Sequence, residues 1–170
     1  QGVPLSVMIF GSRNQLAPLV YESFDWNHGV FIGATMGSKT NATMAGAPVV
    51  RRDPMAMLPF CGYNITDYLT HWVDMGSRIV NKPRIFHVNW FKKDNNGKYI
   101  WPGYKENIRV LEWIIKRVNN QVSAVETPIG YIPNIEDLNL KSLNLSDNQF
   151  KLLFNIDIDQ WLTEFKVIND

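Results

Sequence analysis

The chain has 170 residues, 45% of them hydrophobic, enough for one substantial domain with a buried core and too apolar for a disordered segment. Seventeen Lys and Arg stand against sixteen Asp and Glu, which excludes the global field of a nucleic-acid or anionic-membrane binder and leaves room only for a local basic site. The single cysteine, Cys61, excludes an internal disulfide and favours a reducing compartment, and no apolar run approaches the length of a membrane span.

In chain order, PLSVMIFGSR is an apolar run ending in Gly-Ser, and it predicts a buried strand that stops at Gly11. PLVYES is a second strand, and FDWNHGVFIGATMGS predicts a helix opening near Asp25. Ser38 to Pro48, SKTNATMAGAP, is small and polar and reads as a mobile loop, after which VVRRDP resumes a strand. TDYLTHWVDM sets Tyr68, Leu69, Trp72 and Val73 at helical spacing, with Thr66 or Asp67 as N-cap. RIFHVNWF is a central strand. In KENIRVLEWIIKRVNN, Ile108, Leu111, Ile114, Ile115 and Val118 form an apolar stripe, with Lys105, Arg109, Glu112 and Lys116 off it. SDNQFKLLFNIDIDQWLTEFKVI supplies one or two further helices, capped at Ser146. Strands alternating with helices predict a single α/β (mixed α+β) domain over residues 1–170, a mixed sheet flanked by helices.

Most of the tempting motifs are bland. Three Asn-x-Ser/Thr triplets, at Asn41, Asn64 and Asn144, are chance matches in a chain rich in those residues, and Gln1-Gly2-Val3-Pro4 has neither the basic start nor the apolar core of a signal peptide. The chain also opens without Met, close to a strand, as a piece of something longer would. GATMGSKT, Gly33 to Thr40, approaches the phosphate loop G-x-x-x-x-G-K-[ST], but Ser38 stands where the second glycine must curl the backbone, and loop rather than helix follows the Lys. His71 and His87 have no second His or carboxylate at metal spacing, and Asp157 and Asp159 are capping or solvated residues. Arg13, after a strand and a Gly-Ser turn, is either a surface arginine or a forked grip on phosphate at a strand C-terminal end.

HVNWFKKDNNGKYIWPGYKEN, His87 to Asn107, is less ordinary. It gathers Trp90, Phe91, Tyr99, Trp101 and Tyr104 around a polar turn. Such rings either cover a core edge or stack a nucleobase, whose edge an Asn then reads.

The words IFHVNWFKKDNNGKYIWPGYKENIRVLEW, together with IFGSR, PLVYESFDWNHGVFIGATM, DPMAMLPFCGYN, THW and TPIGYIP, resemble in content and order the C-terminal portion of the GTP-dependent phosphoenolpyruvate carboxykinases, over nearly the whole chain. The resemblance implies a guanine pocket of Trp90, Phe91, Tyr99 and Tyr104 with Asn107 reading the base. It implies that Arg13 meets the transferred phosphate, and that a lid at about 40–48 closes over substrate. Ser12 replaces a family glycine, Gly37 and Leu58 stand where Arg is common, and Tyr99 and Tyr104 stand where Phe is frequent. The implied reaction takes oxaloacetate and GTP to phosphoenolpyruvate, carbon dioxide and GDP with Mn²⁺ or Mg²⁺, in cytoplasm or mitochondrial matrix. The phosphate loop, metal ligands and oxaloacetate-binding arginines would lie upstream of Gln1, in a missing N-terminal portion, so that no metal ligand falls here and the chain alone would be inactive. Neither nucleic acid nor membrane is an expected partner. The rival readings are a stand-alone nucleotide- or RNA-binding module using the same rings, and a structural fragment without ligand.

Overall fold

A computed structural model describes residues 2–40 and 49–169. Its elements are β1 (Val7–Gly11), β2 (Val20–Glu22), α1 (Trp26–Thr35), β3 (Gly37–Lys39), β4 (Val50–Arg52), α2 (Ile65–Arg78), β5 (Arg84–Val88), α3 (Asn107–Val118), β6 (Val125–Thr127), β7 (Gly130–Ile132), α4 (Asp147–Phe154) and α5 (Ile158–Asn169). Five strands form one mixed sheet in the order β1-β5-β2-β7-β6, with β3 and β4 as a separate hairpin. Only β1 and β5 run parallel, Val7 opposite Arg84 and Gly11 opposite Val88.

The sheet is covered on both faces, and β5 shows why. A strand points alternate side chains to opposite faces, so a strand buried on both sides is apolar with little alternation, here Ile85, Phe86 and Val88 with a buried His87 between them. Ile85 meets α1 at Gly29, where a Cβ would come within 2.4 Å of the Ile85 Cδ1. On the other face Phe86 meets Trp113 of α3 edge-on, with ring centroids 5.9 Å apart. Trp26 of α1 stacks on Trp72 of α2 and donates its indole N–H to the Trp72 carbonyl at 2.7 Å, seating α2 outside α1.

Several expectations need correcting. The cap of α2 is Asn64, whose Oδ1 accepts from the Thr66 backbone N–H, two or three residues earlier than the Thr66 or Asp67 expected. On α3 the buried residues are Val110, Trp113 and Ile114, whereas Ile108 and Ile115 are 63% and 57% exposed. The core face is rotated toward Trp113, whose indole packs edge-on against Phe86 in the main core. β1 is an edge strand of this sheet, half-exposed rather than buried. Ser38 and Lys39, read as loop, belong to β3. The expected lid falls almost wholly on residues 41–48, outside the described residues. Asp25 and Ser146 do cap α1 and α4, the latter with a reciprocal Gln149 contact.

One buried carboxylate ties three elements together. Glu22, on β2, binds Arg84 at the start of β5 (3.2 Å) and Arg117 in the last turn of α3 (2.8 Å). Arg84 also donates to the Arg117 carbonyl and to Asn120 Oδ1, and Arg117 to the Val122 carbonyl.

Candidate functional site

β1 and β5 are adjacent and parallel, so their C-terminal ends open at the same edge of the sheet. That edge is where open α/β sheets hold ligands. The segments that follow, Ser12–Ala17 after β1 and Asn89–Lys93 after β5, are bound to each other by side-chain amides. Asn89 is fully buried. Its Nδ2 donates to the carbonyls of Asn14 and Ala17, and its Oδ1 accepts from the Phe91 backbone N–H. Gln15 donates to the Phe91 carbonyl and accepts from the Lys93 backbone N–H. Together these place Phe91 beneath Arg13, whose guanidinium lies 4.6 Å from the ring centroid, a cation–π distance.

Arg13 is also fixed through its backbone. Its N–H donates to Ser38 Oγ at 3.0 Å and its carbonyl accepts from the Lys39 N–H at 2.8 Å, so it is registered against β3. A cleft of about 460 Å³ opens beside β3, lined in part by Ser12, Ser38, Lys39, Arg51 and Asp53, with neither Arg13 nor Phe91 in its wall. GATMGSKT is not built as a phosphate loop: Gly33 is inside α1, and Gly37 to Lys39 form β3.

The aromatic stretch folds as a hairpin with a polar tip. Asp94 Oδ1 accepts from the backbone N–H groups of Asn96 and Lys98, and Gly97 takes φ +78°, a left-handed conformation suited to glycine. Beyond the tip Lys93 and Tyr99 pair across the hairpin. Tyr99 is 53% exposed. It meets Phe91 edge to face, with centroids 6.0 Å apart and planes at 73°, and Lys93 Nζ stands 4.8 Å over its ring. The next two residues, Ile100 and Trp101, are buried.

Trp90 is half-buried, packs on the main core and lies beside Trp101 at 6.4 Å. Trp101 in turn donates its Nε1–H to Asn107 Oδ1 at 2.7 Å. Tyr104, at the head of the 3-10 turn leading into α3, is 95% exposed. The structure thus groups Arg13, Phe91 and Tyr99 in one cluster and Trp90 and Asn107 around Trp101 in another, joined by the chain at Trp90–Phe91. Tyr104 projects to solvent between them in sequence. Phe91 and Tyr99 do not present two parallel faces.

Two buried bases flank the site. His87 is fully buried on β5, with Ser12 Oγ 3.0 Å from its Nε2 and the Tyr21 ring 5.0 Å away. Its Nδ1 has no hydrogen-bond partner among the described residues. Burial pushes its pKa down to about 3, so it stays neutral at physiological pH. Lys92 is 6% exposed and donates to the Asn155 carbonyl beyond α4, and burial lowers its pKa to about 8. Among the described residues no three His, Cys, Asp or Glu side chains converge as a metal-binding group, and no helix is long and apolar enough to cross a membrane.

Sequence reasoning missed Asn89, Gln15 and the Trp101–Asn107 bond. The one local signal was an Asn directly after a largely apolar strand, a polar group that burial obliges to find partners.

A family model described as the phosphoenolpyruvate carboxykinase C-terminal P-loop domain matches residues 1–170. Among curated proteins, one from Thermoplasma volcanium called phosphoenolpyruvate carboxykinase [GTP] is 55% identical over 170 residues, covering 99% of this chain and 28% of that protein. Proteins of the same description from Chlamydia muridarum and Anaeromyxobacter dehalogenans are 50% and 49% identical, covering 100% and 98% of this chain. The chain spans about 28% of the length of these relatives.

Proposed function

This chain belongs to the phosphoenolpyruvate carboxykinase family, matching its C-terminal domain, and from that premise we propose that it forms the guanine-nucleotide-binding part of an enzyme converting oxaloacetate and GTP to phosphoenolpyruvate, carbon dioxide and GDP. The observation that carries the reading is the convergence of Arg13 and Phe91 at the shared C-terminal edge of β1 and β5. A group suited to phosphate and a ring suited to a base stand together where such sheets hold nucleotides.

In this reading the purine stacks on Phe91, with Tyr99 turning on its exposed hairpin from the edge-on contact to cover the other face. Tyr104 supplies a further flat, exposed surface, Trp90 backs the pocket from the core, and Asn107 addresses the base edge. Loss of carbon dioxide from oxaloacetate leaves an enolate, whose oxygen takes the γ-phosphoryl group of GTP and releases GDP. Arg13 leaves the Phe91 ring for that group and offsets the negative charge on its oxygens during transfer. Lys39 and Arg51 line the cleft alongside. The lid at 40–48 would exclude water from the enolate. In this reading the ligands of Mn²⁺ or Mg²⁺ come from the rest of a longer enzyme. A cytoplasmic or mitochondrial-matrix setting belongs to the same reading.

Two measurements test it. A base stacked on an aromatic ring is held by about 1–3 kcal/mol, so in the complete enzyme Phe91→Ala is expected to weaken GDP binding about tenfold to a hundredfold. Titrations followed by tryptophan fluorescence should favour guanine over adenine nucleotides. Equal binding of both, or tighter and steeply salt-dependent binding of RNA oligonucleotides, would assign the rings to another use. The 170 residues alone should show no GTP-dependent phosphoenolpyruvate formation in a coupled assay; turnover by them would refute the division of labour proposed here.

A further inference from the structure

We propose that Trp101, without touching the ligand, decides which purines this site accepts, by fixing the carboxamide of Asn107; the inference rests on the guanine-binding reading above. An indole N–H is a donor and never an acceptor, whereas a carboxamide has a donor end and an acceptor end. The 2.7 Å contact from Trp101 Nε1 therefore reaches the Asn107 oxygen as a matter of chemistry, whichever way the amide is drawn. With one lone pair of its oxygen engaged inward and the amide held in that orientation, the NH₂ group is the end that Asn107 offers on its open side. A purine meeting that end is favoured at an oxo position and disfavoured at an amino position.

The indole is well placed to dictate this. Trp101 is 3% exposed, sits in the main core and lies beside Trp90. The adjoining Ile100 N–H is bonded to the Lys92 carbonyl. Asn107 is half-buried at the first position of α3. Its amide orientation is thus set before any ligand arrives, and preorganised donors of this kind discriminate better than ones ordered on binding. The pairing is not a general habit of this chain, because the buried Nε1 atoms of Trp113 and Trp161 have no hydrogen-bond partner among the described residues. Were the Trp101 N–H removed, the Asn107 amide could turn over at little cost and present its oxygen to an amino group. Trp101 is therefore a positioning residue.

The test compares GDP with 2,6-diaminopurine riboside diphosphate, which carries an amino group in place of the 6-oxo group, in the complete enzyme. Wild type should prefer GDP by about a hundredfold, the range expected when a site's hydrogen-bonding end is mismatched. Trp101→Phe should shrink that preference at least about tenfold, chiefly because the diamino nucleotide gains affinity. A second variant carries benzothienylalanine at position 101, which keeps the bicyclic volume and lacks the N–H, and it should behave alike even if Trp101→Phe disturbs folding. A merely structural tryptophan would weaken both nucleotides together and leave their ratio unchanged. An unchanged ratio in the isosteric variant, with wild type discriminating, overturns the role of Trp101 alone. Equal binding of the two nucleotides by wild type overturns the guanine reading and this inference with it.

Discussion

Replacing Glu22 by Ala is expected to cost about 3 kcal/mol or more of folding stability, read as a fall in the urea midpoint at pH 7. Removing one member of a buried charge network costs about 3–5 kcal/mol, because the remaining charges stay buried and uncompensated. Glu22 is 5% exposed and its two oxygens are divided between Arg84 and Arg117, whose side chains are 32% and 15% exposed. The better-solvated Arg84 recovers part of its loss from water and places the expectation at the lower end of the range. Arg117 does not have that recourse, and it stands in the last turn of α3, where a cation also complements the exposed carbonyls. Glu22→Gln keeps an acceptor for one arginine and sets an NH₂ group against the other, so a smaller loss is expected. A change below about 1 kcal/mol for Glu22→Ala would show the network to be solvated and unimportant.

Acid is expected to destabilise the fold at a pH where ordinary carboxylates are still ionised. His87 has its pKa lowered by burial from 6.5 to about 3. Between those values the unfolded chain binds a proton that the native state does not, so stability falls as pH drops through the window and is fully present above 6.5. Midway in such a window each pH unit is worth about 1.4 kcal/mol, which predicts a loss of about 2 kcal/mol between pH 7 and pH 5. His28 adds to it with the same sign, since burial lowers its pKa while Asp25 opposes the shift. No carboxylate is among the groups packed against the His87 ring by the contacts seen, which are Ser12 and Tyr21. His87→Gln should lower stability at pH 7 but flatten the difference between pH 7 and pH 5. The same acid loss in both proteins would place its origin elsewhere.

The parts of the fold legible in the sequence are those carried by local periodicity and capping. RIFHVNWF read as a central strand, and β5 is that strand, while Asp25 and Ser146 announced their helices. Reading failed where a distant side chain decided the outcome. The α3 stripe was rotated because Trp113 was the residue needed over Phe86, a match between two remote positions. β1 was read as buried because its own sequence is apolar, whereas burial depends on what lies beyond the sheet edge. In the candidate site, Arg13 and the rings were singled out through the resemblance, since pattern alone left each of them between surface residue and ligand group. The amides of Asn89 and Gln15 were missed because they join segments about 75 positions apart, and such pairings leave no trace in either segment.

That same separation has a kinetic side. The hairpin at Lys93–Tyr99, the helix α3 and the β6–β7 hairpin can all form from neighbouring residues, but β1 meets β5 only after the intervening chain has closed on itself. Closing so long a loop is entropically costly before any contact rewards it, and non-local parallel pairing is intrinsically slow. During that interval one edge of β5, whose last four residues are buried in the native state, waits uncovered. The Ser12–His87 bond would then be among the last native contacts to appear, and the edge proposed to hold the nucleotide would be assembled at the end of folding.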